Sequence, residues 1–478
     1  MQDTVAGRQE WTATPQGILP ALGSRPLLAA FAAFLVLASV ALLATKYYLL
    51  AAAPSLALLL FLLLYRRPDL GFYLVVFLIP FGGFRKIEGP FTLNVPWLLA
   101  SLLLLVVAVR LLPGKQLPSG INSPLWKWLL LYFAVCLISA FLSAFPATAF
   151  ANIGLQLVSY LFILLGMTLV SSEGLRRWLP GVLVASISIS SLLAVLGTFF
   201  NLPLFAEKHG EELVRGIGGS IDPNNMSLMI LFVVPFLARA SLGARGRVRR
   251  LVMIALLALN LGAIATTFSR GGALMTVVTG VFVLREVVRV MRPKTVVLGL
   301  AFVAAGLVTF LSFLPSTYWD RMASLFSWED TALSRRSTYI VVGRDASLRD
   351  PVFGSGPGTF RDLYAGSEEA QRFAREGRTT RRYAHNTYLE VLVGTGVLGL
   401  AVLLAILLCA DLAFGRAARR LEADGDLSGA SLVRAYRIGF RVVCLYLFIF
   451  SDAYHKYLLL SLGASHVADR LPAGPSES

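Results

Sequence analysis

Charge is scarce in this chain. Only 15% of its 478 residues are charged, against 56% hydrophobic, and the mean hydropathy is +0.72. Soluble domains carry about 25% charged residues, so an ordinary soluble fold is excluded. Cysteine is scarcer still. Cys136, Cys409 and Cys444 each fall inside an apolar run, without metal-ligand spacing, and read as small buried hydrophobes. The four histidines, at 209, 385, 455 and 466, are scattered. The sequence has no CxxC, HExxH, P-loop or GxSxG, so nothing in it calls for a metal or another cofactor.

What fills the chain instead is apolar runs of membrane-spanning length. Their recurrence predicts an all-α polytopic integral membrane protein, with about 12–14 transmembrane helices and one large periplasmic loop. Barrel strands are excluded because the runs are too long and too apolar. The first 26 residues are polar and contain Pro15, Pro20 and Pro26, and they do not read as a cleavable signal. The expected spans are 27–45, 47–64, 69–84, 91–112, 124–143, 147–170, 177–200, 223–239, 250–268, 273–290, 295–314, 386–410 and 434–451, with a short apolar tail at 457–469. The implied organisation is a cytoplasmic tail (1–26), a helical region (27–314), a periplasmic loop (315–385), C-terminal helices (386–469) and a short tail (470–478).

The net charge of +16 suggests nucleic acid at first sight. The basic residues, however, sit in short loops between spans, as the positive-inside rule requires, and no nucleic-acid partner is expected. Arg66–Arg67, Arg176–Arg177, the five arginines of 239–250, the basic residues of 285–294 and the arginines of 411–441 all fall on one side when spans alternate. That side is the cytoplasm. Arg85 and Lys86 are the one pair the scheme misplaces. The opposite face then carries loop 201–222, the turn at 269–272 and the long segment 315–385. This last segment holds eleven Arg, no Lys and nine acidic residues. Arginine used alone suits bidentate contacts rather than a diffuse basic surface. Within it, Tyr339-Ile340-Val341-Val342 suits a helix lying on the membrane surface, and 350–358 is rich in turn residues.

Three places on that face can carry chemistry. Arg270 lies in Ser269-Arg270-Gly271-Gly272, between two apolar runs. The glycines permit close backbone approach and positive φ, and a guanidinium at membrane depth is expensive unless paired or solvated. A snorkelling anchor would explain Arg270 but not the glycines. Arg215 precedes Gly216-Ile217-Gly218-Gly219 and then Asp222-Pro223, which reads as a helix start. The plainer role for Arg215 is an ion pair with Glu211 or Glu212. His385, beside Asn386, Arg381 and Arg382, is a candidate general base; nearby arginines would keep it neutral. Asp452, His455 and Lys456 read as mainly structural. Two fixed cations and one titratable ring at one face point to an anionic, lipid-borne substrate.

These residues resemble the O-antigen ligase and O-antigen polymerase superfamily of bacterial envelope glycosyltransferases. The resemblance covers roughly 212–410. It rests on Phe268-Ser269-Arg270-Gly271-Gly272, on Asp350-Pro351-Val352-Phe353-Gly354-Ser355-Gly356, and on His385-Asn386-Thr387-Tyr388-Leu389-Glu390 running into Gly394-Thr395-Gly396-Val397-Leu398-Gly399-Leu400. It implies an inner-membrane enzyme that passes a glycan from undecaprenyl pyrophosphate to an acceptor sugar hydroxyl in the periplasm, without metal or nucleotide. It also implies that Arg215 and Arg270 hold the pyrophosphate and that His385 activates the acceptor, with Ser269, Gly271, Gly272, Asn386, Arg381 and Arg382 in support. Inversion at the anomeric carbon is expected. The acceptor can be the lipid A core, another lipid-linked repeat unit or a protein, and the sequence leaves this open, as it does which of Arg335, Arg336, Arg344, Arg381 and Arg382 contributes. A lipid-linked sugar transporter is the alternative of another class. Transporters show internal repeats and midplane charges, whereas here no repeat is visible and the charges cluster at one face.

Overall fold

The computed structural model describes residues 53–83, 95–111, 119–209, 213–290, 331–372 and 380–474, together with 33, 34, 36, 37, 39, 40 and 319. The expected span 295–314, nearly all of 27–45, and the misplaced pair Arg85–Lys86 lie outside these residues. Seven helices among the described residues are long and apolar enough to cross a membrane. The chain is a multi-pass, all-α membrane protein, as its composition predicts.

The contacts divide the chain into two units. The first contains α1 (Ala53–Arg66), α2 (Pro68–Leu78) and α3 (Val95–Leu111). They meet at Gly71, where a Cβ would lie 2.7 Å from Leu64 and 3.0 Å from Leu103.

The second unit holds residues 79–86 and everything from Gly120 onward. Its helices begin with α4 (Leu125–Leu142), α5 (Pro146–Leu169) and α6 (Leu179–Phe199). A hairpin of β1 (Ala206–His209) and β2 (Leu213–Gly216) follows. Next come α7 (Pro223–Leu242), α8 (Arg247–Thr266) and α9 (Arg270–Val290). The segment 331–372 forms α10 (Thr331–Arg349), α11 (Phe360–Ala365) and α12 (Glu368–Arg372), and α13 (Thr387–Ala423), α14 (Leu427–Tyr446) and α15 (Lys456–Asp469) close the unit. Helix α7 is the hub, packing on α6, α8, α9 and α14, and its side chains from Met226 to Leu237 are buried.

Two expectations need correction. The basic stretch 411–441 is not a long loop: α13 continues to Ala423, and α14 starts at Leu427. Four of its six arginines, Arg416, Arg434, Arg437 and Arg441, have acidic partners. Arg437 and Arg441 each donate twice to Asp411, at 2.6–3.0 Å, and Arg434 pairs with Glu286 and Glu422. Gly425, at φ +81°, and the Asp426 cap make the reversal in between. Helix α14 then ends at Tyr446, short of the expected 451, and leaves 447–455 irregular. The second correction concerns Tyr339-Ile340-Val341-Val342. Tyr339 and Val342 are buried in a small core with Phe360, Tyr364, Ala384 and Val393, which leaves Ile340 exposed. The cysteines are free; Cys136 is buried and the other two are only partly so.

Segment 350–358 docks on a break in α13. Gly396 has φ +65° inside that helix, which interrupts the regular hydrogen bonding there. The loop supplies partners: Ser355 and Gly356 donate to the carbonyls of Val393 and Gly394, both at 2.9 Å, and Val397 donates to Pro351 at 2.9 Å. Gly354 and Gly394 keep the two backbones close enough, since a Cβ on Gly354 would sit 2.6 Å from the Gly394 carbonyl carbon.

Candidate functional site

Arg215 projects from β2 opposite Glu207 on β1, and the two form a 3.3 Å ion pair. The expected partners Glu211 and Glu212 lie outside the described residues. Gly216 sets the depth of the hairpin, because a Cβ there would lie 2.8 Å from Thr266 Oγ1 and 2.9 Å from the Ala194 carbonyl. Arg215 is consequently 6% exposed, and its Nε donates to the Thr267 carbonyl at 2.9 Å.

That carbonyl belongs to the turn between α8 and α9. The positive φ of this turn falls on Phe268, at +50°, and not on the glycines as expected. For a non-glycine residue this costs about 1–2 kcal/mol. The burial of the Phe268 ring, 4% exposed, offsets it. Gly271 and Gly272 serve the close approach alone: a Cβ on Gly272 would meet Ser227 Oγ at 2.7 Å, and one on Gly271 would meet Ile449 at 2.7 Å. Ser269 caps α9, accepting from Gly272 N–H at 3.0 Å and donating to Asn224 Oδ1 at 2.8 Å. Half-buried Arg270 opens the helix, at an end whose N–H groups and dipole favour an anion.

Asn224 belongs to the start of α7, formed as the Asp-Pro pair predicts. Asp222 accepts from the N–H groups of Asn224 and Asn225 at 2.8 and 2.9 Å. Burial raises the pKa of Asp222, against the pull of those N–H groups and of Arg215. The same turn contacts α14 and the irregular 447–455. Tyr446 Oη donates to the Asn224 carbonyl at 3.0 Å. His455 Nε2 lies 2.9 Å from Asn225 Oδ1, and its Nδ1 accepts from Tyr457 N–H, so the proton belongs on Nε2. Burial pushes the pKa of His455 down to about 3.

Loop 447–455 in turn holds the segment that carries His385. Thr387 N–H donates to the carbonyls of Leu447 and Phe450, at 2.8 and 3.1 Å. Thr387 Oγ1 donates to Phe450 and accepts from Asp452 N–H. Burial raises the pKa of Asp452, and Lys456 opposes it. Asn386 caps α13 by accepting from Leu389 N–H at 3.1 Å. His385 itself has φ +53°, and its ring lies 6.3 Å from that of Tyr339. Burial first, then Arg336 and Arg382, lower its pKa from 6.5 to about 4.

The expected arginines therefore divide. Arg336 and Arg382 act on His385. Arg381 is held by Asp362, and Arg344 by Asp345; the Arg335 side chain lies outside the described residues. One continuous set of contacts runs from Arg215 through the α9 start, Asn224 and loop 447–455 to Asn386. The sequence showed the two ends of this set and, in the loop between them, only Asp452 and His455, read as mainly structural; most of the loop's links are to backbone. Glu390, Ser451 and Tyr446 were missed for the same reason. Among the described residues, no group of three or more His, Cys, Asp or Glu is placed to hold a metal ion.

In this multi-pass helical membrane protein, cations, a helix start and the His385 segment are joined by one set of contacts. Residues 254–404 match the family model described as O-antigen ligase, and this domain supports the O-antigen ligase superfamily for the chain. The match includes α9 with Arg270, the 350–358 docking and His385; Arg215 and loop 447–455 lie outside it. No curated protein matches the chain. The match supports an O-antigen ligase-like or polymerase-type membrane enzyme, and the family suggests glycosyl transfer.

Proposed function

We propose that this enzyme moves a glycan from undecaprenyl pyrophosphate to an acceptor sugar hydroxyl at the periplasmic face of the inner membrane. The observation that carries the reading is the contact set joining Arg215 and the start of α9 to the His385 segment. Neutral His385 takes the proton of the acceptor hydroxyl. The acceptor oxygen bonds to the anomeric carbon as the carbon–oxygen bond to the pyrophosphate breaks. The leaving pyrophosphate carries the departing charge. Arg215, Arg270 and the N–H groups at the start of α9 compensate that charge. A single displacement inverts the anomeric carbon.

The test is glycan transfer by purified protein in detergent or nanodiscs, with a lipid-linked donor and a sugar acceptor. His385→Ala should lower kcat by about 10²–10⁴-fold, and Arg270→Ala should weaken turnover without unfolding the protein. Full activity in both variants would remove these roles. Lipid A core, a second lipid-linked unit and a protein acceptor, supplied in turn, separate ligase, polymerase and protein glycosylation. Movement of donor across liposomes that survives His385→Ala would favour transport.

A further inference from the structure

The two peptide N–H groups that flank His385 end on one pair of side chains. Ala384 N–H donates to Glu390 Oε1 at 2.7 Å. Asn386 N–H donates to Ser451 Oγ at 3.1 Å. Ser451 then donates its own proton to the same Glu390 Oε1 at 2.8 Å. Glu390 stands on the first turn of α13, and Ser451 stands in the irregular loop after α14. The residue enclosed by these bonds is the one with φ +53°. Histidine tolerates this region better than most residues, but a non-glycine residue held there is still strained and persists where its surroundings fix it.

We infer that Glu390 and Ser451 are positioning residues that lock the backbone of His385 in its left-handed conformation and so aim the imidazole. The inference rests on the reading of His385 as the base. Neither residue has to touch substrate. The Glu390 oxygen that faces the segment accepts from two donors at once. A carboxamide oxygen in the same place can accept both bonds as the Glu390 oxygen does. Glutamine should therefore rescue what an apolar residue loses.

The experiment compares Ser451→Ala, Glu390→Leu and Glu390→Gln with the wild type. Hydrogen–deuterium exchange over peptides containing 384–386 reads the clamp directly, and transfer kinetics read its consequence. Ser451→Ala and Glu390→Leu should speed exchange at these amides and lower kcat, by up to about 100-fold for a misplaced base, while the donor KM stays within about twofold. Glu390→Gln should keep most of both properties. Unchanged exchange in Ser451→Ala would overturn the clamp. Faster exchange with unchanged kcat would overturn its part in aiming His385. Ser451→Ala removes one hydroxyl and provides the test if Glu390→Leu fails to fold. A wild-type protein inactive on every acceptor would count against the functional reading instead, and the exchange rates would still decide the clamp.

Discussion

At the scale of single residues, the site holds two non-glycine side chains in left-handed backbone, Phe268 and His385. Strain of this kind persists only where the surroundings fix it. For His385 the surroundings also set its chemistry. Its pKa falls from 6.5 to about 4 through burial, Arg336 and Arg382, so the ring is neutral throughout the physiological range. Removing a nearby positive charge raises that value. Arg336→Gln should accordingly move the acid limb of the kcat/KM profile to higher pH, and raising salt should move the wild-type limb the same way, though less. A limb that does not move in Arg336→Gln would refute the electrostatic coupling. The linkage has a defined sign. The folded state binds this proton less readily than the unfolded state does, so the contribution of His385 to stability is complete above about pH 6.5 and declines as pH falls towards about 4. Arg215, Arg270 and His385 were visible in the sequence because polar residues beside apolar runs stand out. Glu390 and Ser451 were not, because their bond spans 61 positions and neither residue is unusual where it stands.

At the scale of elements, α13 is the clearest case of structure the sequence half reveals. The Gly394-Thr395-Gly396 run was visible, but its partner was not, since a broken helix and a turn-rich loop look unrelated until the loop's N–H groups meet the helix carbonyls. Gly396→Ala would place a Cβ against the Val352 carbonyl at a positive φ. It should lower the melting temperature, by roughly 1–2 °C for a loss of about 1–2 kcal/mol, and weaken activity through Thr387 and its neighbours. Thermal unfolding in detergent measures this. An unchanged melting temperature would mean that the docking contributes little. The basic stretch 411–441 misled in the opposite direction. Arginines normally mark loops in such proteins, but Asp411 lies on the preceding helix, and only the fold shows that Arg437 and Arg441 share its carboxylate.

At the scale of the whole molecule, the arginine-rich ends of the helices predict an orientation. Single cysteines placed near Arg247 and near Arg372, in a variant whose native cysteines are replaced, should label from opposite sides of intact cells with a membrane-impermeant reagent; the Arg372 position should be the one reached from the periplasm. Labelling of both from the same side would invert or break the topology. Helical class and most spans were legible because apolar periodicity is a local property. The assembly of the site was not, because it depends on which helix ends meet.

Loop 447–455 lies later in the chain than every other part of the site. It joins the start of α7 to the residues around His385. During synthesis Arg215, Arg270 and His385 are therefore made before the loop that links their segments. A nascent chain halted between α13 and α14 would contain all three residues but none of the bonds that run through this loop.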